Sequence, residues 1–251
     1  MSKFVFERSN EQLHKQLLDL MVVFKEICDK EGIWYSLAFG TMLGAVRHGG
    51  FIPWDLDADV VIMLPDKEKF REAFAKHKPD GITLRNYDTD PRCLQAHDVL
   101  LFDHEIDYIG KQAHLDIYPL IGAPSSPKAQ ARFAFRTCYE YKVIKSKHVD
   151  IRKCNPKNRP LVMAAKAVCS FFPDRLLKEH INRLETRFDF ESSEYLITIS
   201  NYGTATSCIP KAVWMDTQPM RFEGIDFNVP KDWHTYLART FGEDYMTPKR
   251  Y

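Results

Sequence analysis

The segment Trp54-Asp55-Leu56-Asp57-Ala58-Asp59 sets carboxylates at alternate positions. Side chains of an extended chain alternate between its two faces, so Asp55, Asp57 and Asp59 point the same way. Like charges on one edge repel one another, and the arrangement is costly unless a cation neutralises it. A hard divalent ion such as Mg²⁺ takes oxygen ligands, commonly one or two carboxylates together with substrate phosphates. A solvated acidic loop tip is the competing reading of the same letters. The apolar run Val60-Val61-Ile62-Met63-Leu64 favours a site, because it anchors Asp59 at the mouth of a buried strand. An EF-hand loop is excluded. Counted from Asp55, its sixth position is Val60 rather than glycine and its twelfth is Asp66 rather than glutamate.

Other residues of the right chemistry lie nearby. Gly40-Thr41 opens a short helical stretch after a strand, where free backbone N–H groups and the positive end of the helix dipole suit a phosphate. By itself such a pair is more often only a cap. Asp116 stands in the apolar pattern His114-Leu115-Asp116-Ile117-Tyr118, where an unpaired acid is expensive. It could complete a metal shell, accept a proton, or be a hydrogen-bonded structural residue. Arg47 can hold a phosphate through its planar fork. His48, its neighbour before the Gly49-Gly50 turn, is a weaker candidate. Trp54 and Tyr118 flank the acids and are read as core before they are read as ligand-stacking rings.

The elements that must position these groups follow from periodicity. Leu13, Leu17, Leu20, Met21, Phe24 and Ile27 recur at helical spacing, so 10–31 is read as a helix capped by Ser9 or Asn10 and stopped at Gly32. Strands are expected at 33–38, 59–64, 82–87, 98–108 and 114–118, the last ended by Pro119. Helices are expected at 66–77, 128–146 and 174–188, and one or two helical turns within 39–50. The basic, proline-containing segment 147–160 reads as an exposed loop and a possible internal boundary of an otherwise single domain. A hairpin is expected around Glu223-Gly224, then a helix from about Lys231 to Phe241 before Gly242. This mixture predicts an α+β domain with a central sheet and a more helical C-terminal part.

Bulk properties narrow the class. The 251 residues carry 35 basic and 34 acidic side chains, a balance unlike the basic excess of a dedicated nucleic-acid binder. No apolar run is long enough to span a bilayer and the first residues lack a signal core, so a cytoplasmic protein is expected. Cys28, Cys93, Cys138, Cys154, Cys169 and Cys208 are too far apart for a zinc ribbon and are read as reduced thiols.

Taken together, the run YSLAFGTMLGAVRHGGFIPWDLDADVVI resembles the signature of the LicD family, the phosphocholine-transferase group that includes the relatives of fukutin. The resemblance continues in HLDIYPL and in FEGIDFNVPKDWHTYLARTFGEDYMTPKR, whereas 125–195 carries none of it. It implies a nucleotidyltransferase-type fold, with Gly40-Thr41 as the glycine-hydroxyl turn, Asp57 and Asp59 as the paired metal acids and Asp116 as the third. Asp55 is the family's additional acid. Asp244 and Arg250 match its closing motif. Leu56 departs from the acidic or polar residue many members carry.

The resemblance also implies transfer of a phospho-alcohol, phosphocholine first, from a CDP-linked donor such as CDP-choline to a glycan or lipid-linked saccharide, with release of CMP. Mg²⁺ or Mn²⁺ would be the cofactor, and Asp116 or Asp55 the proton acceptor. The enzyme would work in the cytoplasm, at the inner face of the membrane where its acceptor is lipid-linked. Two readings stay open beside it: a true nucleotidyltransferase that releases pyrophosphate, and a non-catalytic binding protein of the same fold. A quaternary ammonium donor would want an aromatic cage, for which Tyr35, Trp54, Tyr118, Trp233 and Tyr236 are available.

Overall fold

The computed structural model describes residues 9–91, 93–105, 112–200 and 207–248. In chain order its principal elements are α1 (Asn10–Glu31), β1 (Tyr35–Leu37), α2 (Phe39–His48), β2 (Ala58–Met63), α3 (Lys67–His77), β3 (Ile82–Arg85), β4 (Asp98–Phe102) and β5 (His114–Ala123). They continue with α4 (Pro127–Lys145), α5 (Arg159–Ser170), α6 (Asp174–Glu185), β6 (Tyr195–Ile197), β7 (Ile209–Pro210), α7 (Lys211–Met215), β8 (Thr217–Phe222), β9 (Ile225–Pro230) and α8 (Trp233–Phe241). The protein is α+β, as its sequence pattern predicts.

Backbone contacts divide the chain into two compact units. The first comprises 1–84, 99–118 and 212–251. Its helix α1 starts with a reciprocal capping box, in which Ser9 accepts from the Gln12 backbone N–H and Gln12 reaches back to the Ser9 N–H. Gly32 closes the helix in the left-handed conformation at φ 61°, which only glycine adopts without cost. The predicted stripe from Leu13 to Ile27 is buried. Phe24 from this stripe meets Phe70 of α3 at 5.2 Å and the edge of Tyr35 at 5.4 Å. The strands run in the order β1-β2-β5-β4-β3, so β5 is a direct neighbour of β2. Strand β1 is antiparallel to β2, with Ser36 opposite Val61. The hairpin β8–β9 turns at Glu223-Gly224 as predicted, and β9 packs on β1.

The second unit comprises 85–98 and 119–211. Here β5 continues past Pro119, which the sequence reading took as its end, and Ile121–Ala123 pairs antiparallel with β6. A proline deletes one ladder donor but leaves the residues beyond it free to pair. Helices α5 and α6 both pack on α4. The segment 147–160 is not a plain loop. It holds short 3₁₀ turns at Ser146–His148, Ile151–Lys153 and Pro156–Asn158, the second capped by Asp150 and the third by Asn155. It leads directly into α5, a helix that periodicity alone had not marked. The strand expected at 98–108 ends at Phe102, and residues 106–108 lie outside the described set.

All six cysteines are free thiols. Among the described residues no helix is long and apolar enough to cross a membrane.

Candidate active site

The acidic segment is placed by its two neighbours in sequence. Strand β2 begins at Ala58 with Val60, Val61 and Ile62 buried, so Asp59 is fixed at the start of a core strand while Asp55 and Asp57 sit on the approach to it. Two hydrogen bonds secure Asp59 at its backbone: its N–H donates to Thr41 Oγ1 at 2.8 Å, and its carbonyl accepts from Ala38 N at 3.1 Å. Thr41 is therefore occupied in tying the start of α2 to the acidic strand. The N-cap residue of α2, Ala38, makes no side-chain capping bond. Phe39, its first residue, has a left-handed φ of 43°, and its N–H donates to Tyr236 Oη at 2.8 Å. This conformation costs a residue with a side chain about 1–2 kcal/mol, so it is held by its surroundings.

Gly40 faces Asp55. A Cβ at Gly40 would stand 2.6 Å from Asp55 Oδ2, which makes glycine a steric requirement for the observed carboxylate position. Asp55 is held in turn by its own backbone, with Oδ1 accepting from Leu56 N at 3.1 Å and its carbonyl 2.9 Å from His14 Nε2.

Electrostatics identify these acids as a group. Loss of hydration, then the charge of Asp57 and a hydrogen bond to it, push the Asp55 carboxyl up to about 7. Asp59 is raised well above the ordinary carboxylate range, first by loss of hydration and then by the charges of Asp57, Asp116 and Asp55. Every charge acting on Asp59 in this account is negative. Asp116, carried by β5 beside β2, accepts from Tyr118 Oη at 3.2 Å and lies 4.0 Å from His114 Nε2. The structure thus gathers Asp55, Asp57, Asp59 and Asp116. Among the described residues no three His, Cys, Asp or Glu side chains form a preformed metal cage. These acids offer oxygen donors of the kind a hard cation takes.

Arg47 and His48 lie at the other end of α2. Arg47 Nη1 donates to the Tyr245 carbonyl at 2.9 Å, and its Nε donates to His48 Nδ1 at 3.4 Å. Burial and then the neighbouring Arg47 charge hold His48 below its usual range, in the neutral form that can accept this bond. Asp244 lies in the turn after α8, its carbonyl accepting from Thr247 N at 2.9 Å. Arg250 lies outside the described residues.

Trp54 and Tyr118 are half-buried rather than core, Trp54 meeting the His48 ring at 6.5 Å and Tyr118 the Phe39 ring at 5.3 Å. Tyr35 and Tyr236 are buried, so their rings do not offer open faces to a cationic ligand. The sequence offers Tyr236 only as an aromatic-cage candidate and Glu223 only as a turn residue, and it does not mark His14. Glu223 Oε1 accepts from Phe51 N at 3.0 Å and fills the space beside Gly50, fastening the hairpin to the loop that leads into the acids. The Tyr236 and Glu223 contacts span 197 and 172 positions and the His14 contact 41, separations that leave no local signal.

The site thus combines the glycine-containing first turn of α2 and the paired aspartates with a third aspartate on the adjacent strand. Residues 32–144 match the family described as LicD/FKTN/FKRP, nucleotidyltransferase domain. The chain is 24% identical over 238 residues to the lipopolysaccharide cholinephosphotransferase LicD of Haemophilus influenzae, covering 91% of this chain and 88% of LicD. It is 48% identical over 40 residues to the ribitol 5-phosphate transferase FKRP of Homo sapiens and of Mus musculus, covering 16% of this chain and 8% of FKRP.

Proposed function

We propose that the protein is a phosphotransferase that moves a phospho-alcohol group, phosphocholine first among the candidates, from a CDP-linked donor to a glycan hydroxyl and releases CMP. The observation that carries this reading is the cluster of like charges around Asp59 beside the glycine-containing first turn of α2. Likeness to a cholinephosphotransferase along 91% of the chain supports the reaction class. Likeness to a ribitol 5-phosphate transferase keeps ribitol phosphate as a second transferred group.

Asp57, Asp59 and Asp116 would hold Mg²⁺ or Mn²⁺, which when bound would neutralise the donor diphosphate and the departing CMP phosphate. The chain's own groups do the rest. Backbone N–H groups around Gly40 and Thr41 orient a phosphate, helped by the positive end of the α2 dipole. Asp55 takes the proton from the attacking acceptor hydroxyl. Its carboxyl is raised to about 7 in the metal-free protein, first by loss of hydration and then by Asp57. Asp116 is the alternative base. Arg47 can serve a phosphate with the donors it does not direct to Tyr245. The acceptor is a glycan, lipid-linked where the enzyme works at the inner membrane face.

Nucleotide release from a panel of CDP-linked alcohols tests the reading, with Mg²⁺ or Mn²⁺, with EDTA, and with Asp57→Asn. Metal-dependent CMP release from one donor, absent in the variant, is the expected result. Pyrophosphate release from a nucleoside triphosphate would establish a nucleotidyltransferase instead. Donor binding that is indifferent to both metal and Asp57→Asn would reduce the protein to a binding module.

A further inference from the structure

Residues 127–175 carry twelve Lys or Arg against three Asp or Glu, an excess of nine in a chain whose whole balance is +1. The same segment holds most of the large apolar side chains left in water. On α5 and the residues just after it, Leu161, Met163, Val168 and Phe171 leave between 55% and 84% of their surface exposed, and Phe172 is exposed as well. Of all residues in α5, only Cys169 is buried. Leu161, Ala164, Val168 and Phe171 recur at helical spacing and form an exposed apolar stripe along α5, with Met163 exposed beside it. Phe135 and Tyr139 on α4 are exposed too, on the face that also presents Lys128, Arg132 and Arg136. These basic residues line a cavity of about 290 Å³ whose wall is completed by Arg187, Phe133 and Phe188.

We propose that the outer face of α4 and α5 is a peripheral membrane-docking surface for bilayers rich in anionic phospholipid. A helix with one apolar side and flanking Lys and Arg settles in the plane of the interface, its apolar residues among the acyl chains and its basic residues on the phosphates. Among the described residues no helix is long and apolar enough to span a bilayer. Charge selects this occupant over a second copy of the chain. A twofold interface would set this basic segment against itself. The surface lies in the second unit and does not depend on the reaction read for the first.

Flotation with vesicles tests it. At low salt the protein is expected to float with phosphatidylcholine vesicles that contain phosphatidylglycerol, and not with pure phosphatidylcholine. Phe171→Ser with Phe172→Ser, and separately Lys142→Glu with Lys157→Glu, should each weaken binding at least about tenfold, and high salt should do the same. These residues are exposed, so the unfolding midpoint should stay at the wild-type value. If the phenylalanine pair alters folding, Leu161→Ser with Met163→Ser replaces it. Wild-type protein that floats with neither vesicle overturns the proposal. So does binding that none of these variants weakens, or a dimer in solution that the phenylalanine variant dissolves while vesicles bind neither form. CMP release measured in solution should be the same in all these variants, which separates this surface from the catalytic reading.

Discussion

Asp55 Oδ2 occupies the space that a side chain on Gly40 would need, 2.6 Å from where its Cβ would stand. The glycine of the glycine-hydroxyl pair is thus required by an acid fifteen positions away, not only by a phosphate. Gly40→Ala should leave the fold standing, because the obstructing atom is the end of a side chain that can turn. It should lower turnover on the order of a hundredfold, the usual cost of misplacing a reacting group by about 1 Å. Gly49→Ala is the control. Its φ is 69° with no atom near the added carbon, so it should cost about 1–2 kcal/mol in urea unfolding and leave turnover unchanged.

Asp57→Asn and Asp59→Asn should each abolish turnover while folding is kept, since each removes a charge and preserves the shape. Asp59→Asn should also raise the unfolding midpoint of metal-free protein at neutral pH, because it relieves the repulsion from Asp57, Asp116 and Asp55. Near wild-type activity in either variant would remove that residue from the site.

The acids also set a pH dependence. An Asp55 carboxyl raised to about 7 in the folded protein binds its proton more tightly than in the unfolded chain, where it titrates near about 4. Its stabilising contribution is complete below the unfolded value and is lost as pH rises through the folded one. The melting temperature in EDTA should therefore fall between about pH 4 and 7, and Asp55→Asn should flatten that fall. An unchanged slope in the variant would mean that another group dominates.

Tyr236→Phe removes the only acceptor described for the Phe39 N–H at a position of left-handed backbone. A loss of about 1–3 kcal/mol in denaturant unfolding is expected, the cost of leaving a shielded donor unpaired. A higher donor KM should accompany it, as the start of α2 loosens.

Arg47→Ala separates two roles of one side chain. A raised donor KM would place Arg47 on a phosphate. A lower unfolding midpoint with unchanged KM would restrict it to holding the Tyr245 carbonyl, 2.9 Å away. The first outcome is expected, accompanied by some loss of stability.

Much of this was legible in the sequence where the signal is local. The stripe of α1, the buried run of β2 and the Glu223-Gly224 hairpin carry their own periodicity or turn chemistry, and each formed within a few residues of its expected bounds. Pro119 misled because a missing donor does not end a strand whose later residues find a partner in β6. Helix α5 escaped notice because residues 161–169 are apolar at every position but Lys166, which blurs the one-sided periodicity that marks an amphipathic helix. The paired acids were visible as spacing, and Asp116 only as an acid out of place in an apolar strand. That β5 lies beside β2, and that Tyr236 caps Phe39, are products of strand order and long-range packing that no window of residues contains.

The bond from Phe39 to Tyr236 joins positions 197 residues apart, and the one from Phe51 to Glu223 joins positions 172 apart. A chain emerging from the ribosome has its acids, its glycine turn and its apolar strand long before it has the residues that lock them. Loops this long close slowly, and contacts of this range delay the folding transition state. The carboxylate edge must therefore wait, incomplete and self-repelling, until the C-terminal hairpin and last helix are synthesised. Maturation of the site is a late step in the life of the nascent chain, and one in which a chaperone that shelters the N-terminal portion would raise the yield of active protein.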